Sequence, residues 1–175
     1  AFDTHVLTGE NSALPHGTLS SRVLSADEYL LIDYGGRYNG YPADITRTFC
    51  LGTPSEKMCE IYNIVLEANR AGIAVAKAGV PCGDVDKAAR DVITKAGYGE
   101  YFIHRTGHGL GLEIHELPQI AADVTDILEV GMVFTVEPGI YIPGFGGVRI
   151  EDNVYITENG AEVLTHFPKR LTYEG

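Results

Sequence analysis

Two carboxylates near residue 40 lie within apolar, strand-like runs, where acidic side chains are unfavourable. Asp33 follows the apolar run 30–32, and Asp44 directly precedes Ile45. Aspartate is depleted in β-strands, whose side chains have to fit a pleated and half-buried surface. Carboxylates packed against apolar residues need a positive partner, and a bound cation is one such partner. The pattern therefore indicates a candidate metal site.

An Asn39-Gly40 pair between two aromatic and β-branched runs predicts a β-hairpin with a two-residue turn. This turn sets the register of the hairpin so that Asp33 pairs with Thr46. Asp44 is then two residues from Thr46, on the same face as Asp33 and diagonal to it. Diagonal neighbours are about 7–8 Å apart at the backbone, so the two carboxylates could share a cation between them.

A second hairpin near the C-terminal end repeats this arrangement. Glu137 and Glu151 each follow an apolar, strand-like run. Their separation is even, so a turn centred on Phe145 places both on one face of the hairpin. A turn shifted by half a step would place them on opposite faces, and Pro138 adds a possible bulge.

Four acids gathered in one place require counter-charge. Two divalent cations would change the formal charge of the chain from −11 to −11 + 4 = −7. The alternative is that each acid is exposed at a strand end or pairs with Arg37, Arg47 or Arg149. That alternative explains one acid more easily than four acids at matching strand positions, and the metal interpretation is preferred.

A histidine-rich run supplies imidazole groups for such a site. Residues 102–116 contain His104, His108 and His115, and glycines flank His108 on both sides, which allows its backbone to approach another element closely. A lone histidine would more often be a hydrogen-bonded structural residue. Mostly oxygen ligands with one nitrogen suit manganese, iron(II) or cobalt better than a thiolate-rich zinc site.

Two helical segments separate the hairpins. The first is predicted to begin at Thr53 as N-cap with Pro54 in its first turn, and to end at Gly79. The second is predicted over residues 84–96, with Gly97 closing it. Strands, then helices, then strands favour one α+β domain with antiparallel hairpins.

Composition narrows the function further. The chain has 175 residues, 45% of them hydrophobic, which suits one globular domain with a real core. A formal charge of −11 argues against nucleic-acid binding, which depends on clustered Lys and Arg. No apolar run is long enough for a membrane span. Three cysteines without a metal-binding spacing suit reduced thiols, so we expect a cytoplasmic protein.

Six stretches, in order along nearly the whole chain, resemble the metallopeptidases of the pita-bread (creatinase/aminopeptidase) fold, specifically the Xaa-Pro dipeptidases (prolidases) and aminopeptidases P. The matching stretches are 12–17, 31–35, 44–49, 107–111 with 114–116, 136–141 and 148–152. The resemblance implies a site for two divalent metal ions, with manganese preferred and cobalt, iron or zinc as alternatives. The implied ligands are Asp33, Asp44, His108, Glu137 and Glu151.

The resemblance also implies roles for other side chains. His16 and His115 would contact the substrate and the transition state, and Glu137 would transfer the proton as well as bind metal. His104, Tyr141 and Arg149 would line the substrate pocket. The implied reaction is hydrolysis of the peptide bond before a proline in the second position of the substrate.

Two departures from the family pattern are visible. The family has an N-terminal domain and an opening part of the catalytic domain that have no counterpart here, so residues 1–175 are expected to form most of a catalytic domain from a longer, homodimeric protein. Gln119 stands where some prolidases have an arginine for the substrate carboxylate. Dipeptidase and aminopeptidase activities therefore both stay open, together with a non-catalytic peptide-binding module that has kept the fold.

Overall fold

The computed structural model describes residues 1–15, 17 and 20–172. Short 3₁₀ turns occur at Gly9–Ala13 and Gly99–Tyr101. The helices and strands, in chain order, are β1 (His5–Thr8), β2 (Tyr29–Tyr34), β3 (Arg37–Tyr38), β4 (Tyr41–Pro42), β5 (Ile45–Cys50), α1 (Glu56–Val75), α2 (Cys82–Lys95), β6 (Gly107–Gly109), β7 (Glu116–Ile120), β8 (Val133–Val136), β9 (Gly139–Ile142), β10 (Gly146–Arg149), β11 (Asp152–Thr157) and β12 (Gly160–Val163).

The first predicted hairpin is present with the predicted register. Strands β2 and β5 are antiparallel and pair Asp33 with Thr46, while β3 and β4 form the two-residue ribbon at the tip. Asn39 and Gly40 have φ angles of 50° and 90°, as a type I′ hairpin turn requires. Strand β1 adds to the other edge of β2, which gives a three-stranded antiparallel sheet in the order β1-β2-β5.

The second hairpin is also present, but its turn is centred one residue earlier than predicted. Strands β9 and β10 pair Ile142 with Gly146, so the centre is Gly144 and not Phe145. Gly144 has a φ of +73°, a conformation that glycine adopts without the steric penalty a phenylalanine would meet. The same register continues through β8 and β11, and Glu137 therefore lies opposite Glu151.

Strands β8 and β11, which flank the second hairpin in the chain, belong to a five-stranded antiparallel sheet in the order β12-β11-β8-β6-β7. Strand β6 is only three residues long and lies between β7 and β8. This position next to β8 places the middle residue of β6, His108, beside the strand end that leads to Glu137.

Helix α1 begins two residues later than predicted, because its N-cap is Ser55 and not Thr53. The Ser55 hydroxyl accepts a hydrogen bond from the Met58 amide at 3.3 Å, which is the usual N-cap contact. The helix ends at Val75 rather than Gly79, since Ala76 turns to an extended conformation and is buried in the core. The predicted end was therefore wrong by four residues.

Helix α2 begins two residues earlier than predicted and ends at Lys95, just before Gly97, which has a φ of +87°. Both helices pack behind the strands that carry the acids. One core cluster joins α1 to β9 and β10, and a second joins α2 to β7, β8 and β11. Neither helix in the described part of the chain has a stretch long and apolar enough to cross a membrane.

Candidate metal centre

Asp33 and Asp44 reach one cavity from the first hairpin. Asp33 lies near the end of β2, and its Oδ2 accepts a hydrogen bond from Nη2 of Arg149 at 2.5 Å. Its other oxygen, Oδ1, is buried and has no hydrogen-bond partner among the described residues. Asp44 directly precedes β5 and is 6% exposed. Both carboxylates line the cavity, and Asp33 has an oxygen atom that no described protein group binds.

His108 approaches these acids from β6. Its Nδ1 lies 3.0 Å from the Gly109 carbonyl oxygen, which fits a donated hydrogen bond. Its Nε2 then faces the acids, 3.7 Å from Oδ2 of Asp44 and 3.4 Å from Oε1 of Glu137. Burial lowers the pKa of His108 to about 4. The imidazole is therefore neutral near pH 7, which is the form that binds a metal.

The glycines on both sides of His108 are required by close packing, as the sequence indicated. A Cβ at Gly107 would lie 1.8 Å from the carbonyl oxygen of Thr135, and one at Gly109 would lie 2.2 Å from that of Leu117. Real Cβ atoms do not approach backbone so closely. Glycine at both positions thus lets β6 fit between its neighbours and hold His108 in the cavity.

Glu137 and Glu151 complete the cluster from the second hairpin. The Thr135 hydroxyl donates to Oε1 of Glu137 at 3.1 Å, and the Thr46 hydroxyl donates to Oε2 of Glu151 at 2.7 Å. The backbone amide of Glu137 donates to the Thr106 carbonyl at 2.7 Å. Glu151 is 2% exposed, so both side chains are fixed rather than free in solvent.

Burial and mutual repulsion raise the pKa values of three acids in the cluster, which indicates that their ionised forms need a positive partner. Burial, with added repulsion from Asp33 and Glu137, raises the pKa of Asp44 to about 8. Burial raises the pKa of Glu137 to about 7, against the opposing effect of Arg149. Burial together with repulsion from Glu137 and Asp44 raises the pKa of Glu151 well above its usual value. Without a cation, these groups hold protons that exposed carboxylates would have lost.

The donor set fits a divalent metal. One ligand atom from each of Asp44, His108 and Glu151 can be chosen so that all three lie within 4.8 Å of one another. The unpartnered Oδ1 of Asp33 and the half-buried carboxylate of Glu137 line the same cavity. Carboxylate oxygens with a single imidazole nitrogen suit manganese, iron(II) or cobalt.

The two hairpins hold each other's acids. Arg149 belongs to the second hairpin and pairs with Asp33 of the first, whereas Thr46 belongs to the first and donates to Glu151 of the second. Nε of Arg149 also donates to the Thr46 hydroxyl at 3.0 Å. The Thr48 hydroxyl accepts from the Arg149 amide at 3.1 Å and donates to its carbonyl at 3.0 Å. Neither pair of acids is therefore positioned by its own hairpin alone.

Of the three arginines considered as partners for the acids, Arg149 is the one that pairs with a member of the cluster among the described residues. Arg47 instead pairs with Asp152 at 2.9 Å, buried behind the site. Arg37 donates to the carbonyls of Gly40 and Leu112. One guanidinium cannot balance four carboxylates, so the structure favours the cation interpretation of the cluster.

Of the three residues predicted to line the substrate pocket, two form the cavity wall and one packs directly behind that wall. His104 and Arg149 line the cavity itself, whereas Tyr141 lies one layer behind them. Tyr141 is buried behind them because its hydroxyl lies 2.8 Å from Nε2 of His104 and accepts from Nη1 of Arg149 at 3.0 Å. Burial raises the pKa of Tyr141 to about 12, and the phenol stays protonated.

His115 lies at the cavity mouth, with its ring centroid 4.2 Å from that of His108. It is exposed and lines the cavity, in a position open to a substrate. His16, the other histidine predicted to contact the substrate, lies outside the described residues.

The cavity has a volume of about 310 Å³ and includes residues that the sequence analysis did not identify. Strand β1 pairs His5 with Asp33. The sequence gives no short turn between β1 and β2 from which this pairing could have been predicted. Arg105 could have been found, since it lies within the histidine-rich run. The additional lining residues are Phe2, His5, Pro15, Arg105 and Ile114.

Comparisons with known proteins agree with this geometry. A model of metallopeptidase family M24 matches residues 1–158. An uncharacterized peptidase of Staphylococcus haemolyticus is 56% identical over 169 residues, which cover 97% of this chain and 48% of that protein.

Two solved structures superpose closely. The Xaa-Pro dipeptidase from Bacillus anthracis has a TM-score of 0.95 and 54% identity, covering 98% of this chain and 48% of that one. The X-Pro aminopeptidase from Thermotoga maritima has a TM-score of 0.95 and 46% identity, covering 98% of this chain and 49% of that one.

These similarities confirm the pita-bread fold expected from the sequence. The chain spans about half the length of the relatives it matches. Because the family model covers most of the sequence and the acids and histidine converge in one cavity, the chain belongs to metallopeptidase family M24.

Proposed function

We propose that the protein is a metal-dependent Xaa-Pro dipeptidase that hydrolyses the bond before a proline in the second position. The observation that carries this proposal is the convergence of four carboxylates and one neutral imidazole on a single cavity. The solved relatives, an Xaa-Pro dipeptidase and an X-Pro aminopeptidase, support the substrate class.

The metal ligands in this proposal are the residues that the sequence resemblance implied. They would hold two divalent ions, with manganese preferred and cobalt, iron or zinc as alternatives. When bound, such ions lower the pKa of a water molecule and polarise the substrate carbonyl. The proposed ligands are Asp33, Asp44, His108, Glu137 and Glu151.

The side chains around the ligands would handle protons and orient the substrate. Glu137 lines the cavity beside the other proposed ligands, a position that suits a general base that later protonates the proline nitrogen. His115, at the cavity mouth, would donate to the developing oxyanion. His16 would help to hold the substrate, as the resemblance implies.

The cavity favours a short substrate. Its volume of about 310 Å³ lies at the lower end of typical ligand pockets. Phe2, Pro15 and Ile114 offer apolar surface for a proline ring, which lacks the N–H that other residues present.

Arg105 would provide the charge that recognises the substrate carboxylate. It lines the cavity and is half-buried, and its guanidinium makes no hydrogen bond or ion pair with another described residue. Gln119, where some prolidases have an arginine, is exposed on β7 and does not line the cavity. An unpaired cation beside the acids suits the C-terminal carboxylate of a dipeptide.

We further propose that residues 1–175 are most of the catalytic domain of a longer, homodimeric protein of the cytoplasm. The coverage of about half of each relative supports the first point, and three free cysteines support a reducing compartment. The dimer rests on the family resemblance.

Replacing Glu137 by Gln in the complete protein tests the function. The change keeps the size of the side chain but removes its charge, so we expect hydrolysis of Gly-Pro with saturating Mn²⁺ to fall by about 100-fold or more. Metal content, measured by mass spectrometry on the parent and the variant, separates loss of metal from loss of proton transfer. Near-parental hydrolysis by the variant would refute the role of Glu137.

Replacing Arg105 by Gln tests the preference for dipeptides. We expect KM for Gly-Pro to rise about 10-fold or more, because a charge-assisted contact to the carboxylate is lost. A tripeptide with proline second serves as the comparison, since its carboxylate lies one residue further from the bond that is cut. An equal effect on both substrates would favour the aminopeptidase alternative.

A further inference from the structure

An ion pair on α2, with its carboxylate buried and its arginine partly exposed, holds the segment that leads into β6, outside the metal cluster. Asp86 is completely buried. Its Oδ1 accepts hydrogen bonds from both the backbone amide and the hydroxyl of Thr106, at 3.1 and 2.8 Å. A single carboxylate oxygen thus fixes both the backbone and the side chain of Thr106, two residues before His108.

Arg90, one turn further along α2, extends this contact. Its Nε and Nη2 donate to the two oxygens of Asp86 at 2.8 and 3.0 Å. Its Nη1 donates to the Phe102 carbonyl and its Nη2 to the His104 carbonyl, both at 2.9 Å. The guanidinium also lies 4.1 Å from the centre of the Phe102 ring. Arg90 therefore binds the segment at two backbone positions and one side chain.

The segment held in this way, residues 102–106, has no regular secondary structure. Its backbone is not paired as a strand, so its polar groups are satisfied by side chains of α2 and by a few backbone contacts. The segment matters to the cavity because His104 lines it and because the Thr106 carbonyl accepts from the Glu137 amide. The Phe102 ring also meets the His104 ring edge-on, with centroids 5.2 Å apart.

We propose that Asp86 and Arg90 are positioning residues, which set the metal ligands and His104 in place through residues 102–106. This inference rests on the proposed function, because it assumes that the cluster binds metal. Neither Asp86 nor Arg90 lines the cavity, so their effect on the site passes through Thr106 and the two carbonyls. Metal affinity typically falls about 10–100-fold when a group that orients a ligand is lost.

The test compares Asp86→Asn with Asp91→Asn in the complete protein. Asp91 is a matched control because it also forms an i, i+4 ion pair on the same helix, with Lys87 at 2.7 Å, but it is exposed and makes no hydrogen bond or ion pair with the described residues 102–106. We expect Asp86→Asn to lower Co²⁺ affinity about 10–100-fold and to change the visible absorption of bound Co²⁺. Asp91→Asn should do neither.

Thr106 provides a second pair of variants in case Asp86→Asn does not fold. Thr106→Val removes the hydroxyl that Asp86 accepts from, and Thr106→Ser keeps it. We expect the valine variant to reproduce the spectral change and to lower kcat more than it raises KM, and the serine variant to restore the parental values.

Two results would count against the proposals, and they differ. If the folded Asp86→Asn and Thr106→Val variants have lower thermal stability but parental Co²⁺ affinity and spectrum, the contact is only structural and the positioning role is wrong. If the parent binds Co²⁺ with the expected spectrum but does not hydrolyse Gly-Pro, the proposed function fails, whereas the positioning role is still decided by the spectra of the variants.

Discussion

The two hairpins that supply the carboxylates differ in how much of each is buried. In the first, the tip residues Tyr38 and Tyr41 are 81% and 60% exposed. In the second, β9 and β10 are buried almost throughout and pack against α1. The first hairpin is thus held mainly at its base, where Arg149 and the paired strands contact it, whereas the second is held along both strands up to its exposed turn at Pro143 and Gly144.

This difference shows which contacts hold each pair of carboxylates in position. The base of the first hairpin depends on Arg149 and Thr48, which join it to the second. Glu137 and Glu151 adjoin strands that pack in the hydrophobic core. Their carboxylates also accept hydrogen bonds from the Thr135 and Thr46 hydroxyls, respectively. We call the contacts of Arg149 with Asp33, Thr46 and Thr48 the junction of the hairpins. We therefore expect changes at the junction to disturb the site most and changes at the exposed tip of the first hairpin to disturb it least.

The largest effect is expected from Arg149→Met. The variant removes the cation that pairs with Asp33 and lies 3.9 Å from Glu137. Loss of one partner of a buried pair costs about 3–5 kcal/mol, which chemical denaturation of the metal-free protein would measure. Added Mn²⁺ should restore part of this stability, because it supplies positive charge to the same carboxylates. Unchanged stability would show that the hairpins do not depend on this contact.

A smaller and more specific effect is expected from Thr46→Val. The variant removes the hydroxyl that donates to Glu151 and accepts from Arg149. Metal affinity should fall about 10–100-fold, as measured by titration with Mn²⁺ or Co²⁺.

Thr48→Val is the matched control for that change. Thr48 is equally buried and joins the same two hairpins, but it bonds only to the backbone of Arg149. Both variants should lose roughly 1–3 kcal/mol of stability, and only Thr46→Val should weaken metal binding by the larger factor. Equal losses of metal affinity would mean that any loosening of the contact between the hairpins weakens metal binding, and that the hydrogen bond from Thr46 to Glu151 has no specific effect.

The smallest effect is expected at the tip of the first hairpin. Tyr38→Ser should change the free energy of unfolding by no more than about 0.5 kcal/mol, as exposed positions usually do. A change within a strand of the second hairpin, Ile140→Ala, should cost about 2–5 kcal/mol because Ile140 is fully buried. Thermal or chemical denaturation of the two variants measures the contrast, and similar losses would contradict it.

The sequence predicted the parts of the site that depend on local signals. Asn39-Gly40 fixed the register of the first hairpin, because a type I′ turn has few alternatives. The glycines around His108 indicated close backbone packing, which the structure confirms. The second turn was placed one residue late, since both Gly144 and the neighbouring glycines could take a positive φ.

The remaining features depend on contacts between distant segments. Thr46 and Glu151 are 105 residues apart, and no local pattern indicates that they meet. Tyr141 was expected at the cavity wall, but its position depends on which neighbours cover its hydroxyl. The contribution of β1 was missed because 20 residues, 9–28, separate it from β2, and a connection of that length does not set a register.

The exchange of contacts between the hairpins has a consequence for biosynthesis. Glu151 follows Thr46 by 105 residues, so at about 5–20 residues per second its codon is translated roughly 5–20 s later. Throughout that interval the nascent chain carries Asp33 and Asp44 without the arginine that neutralises one of them. The carboxylate cluster can therefore be completed only after the second hairpin has been synthesised and has left the ribosome.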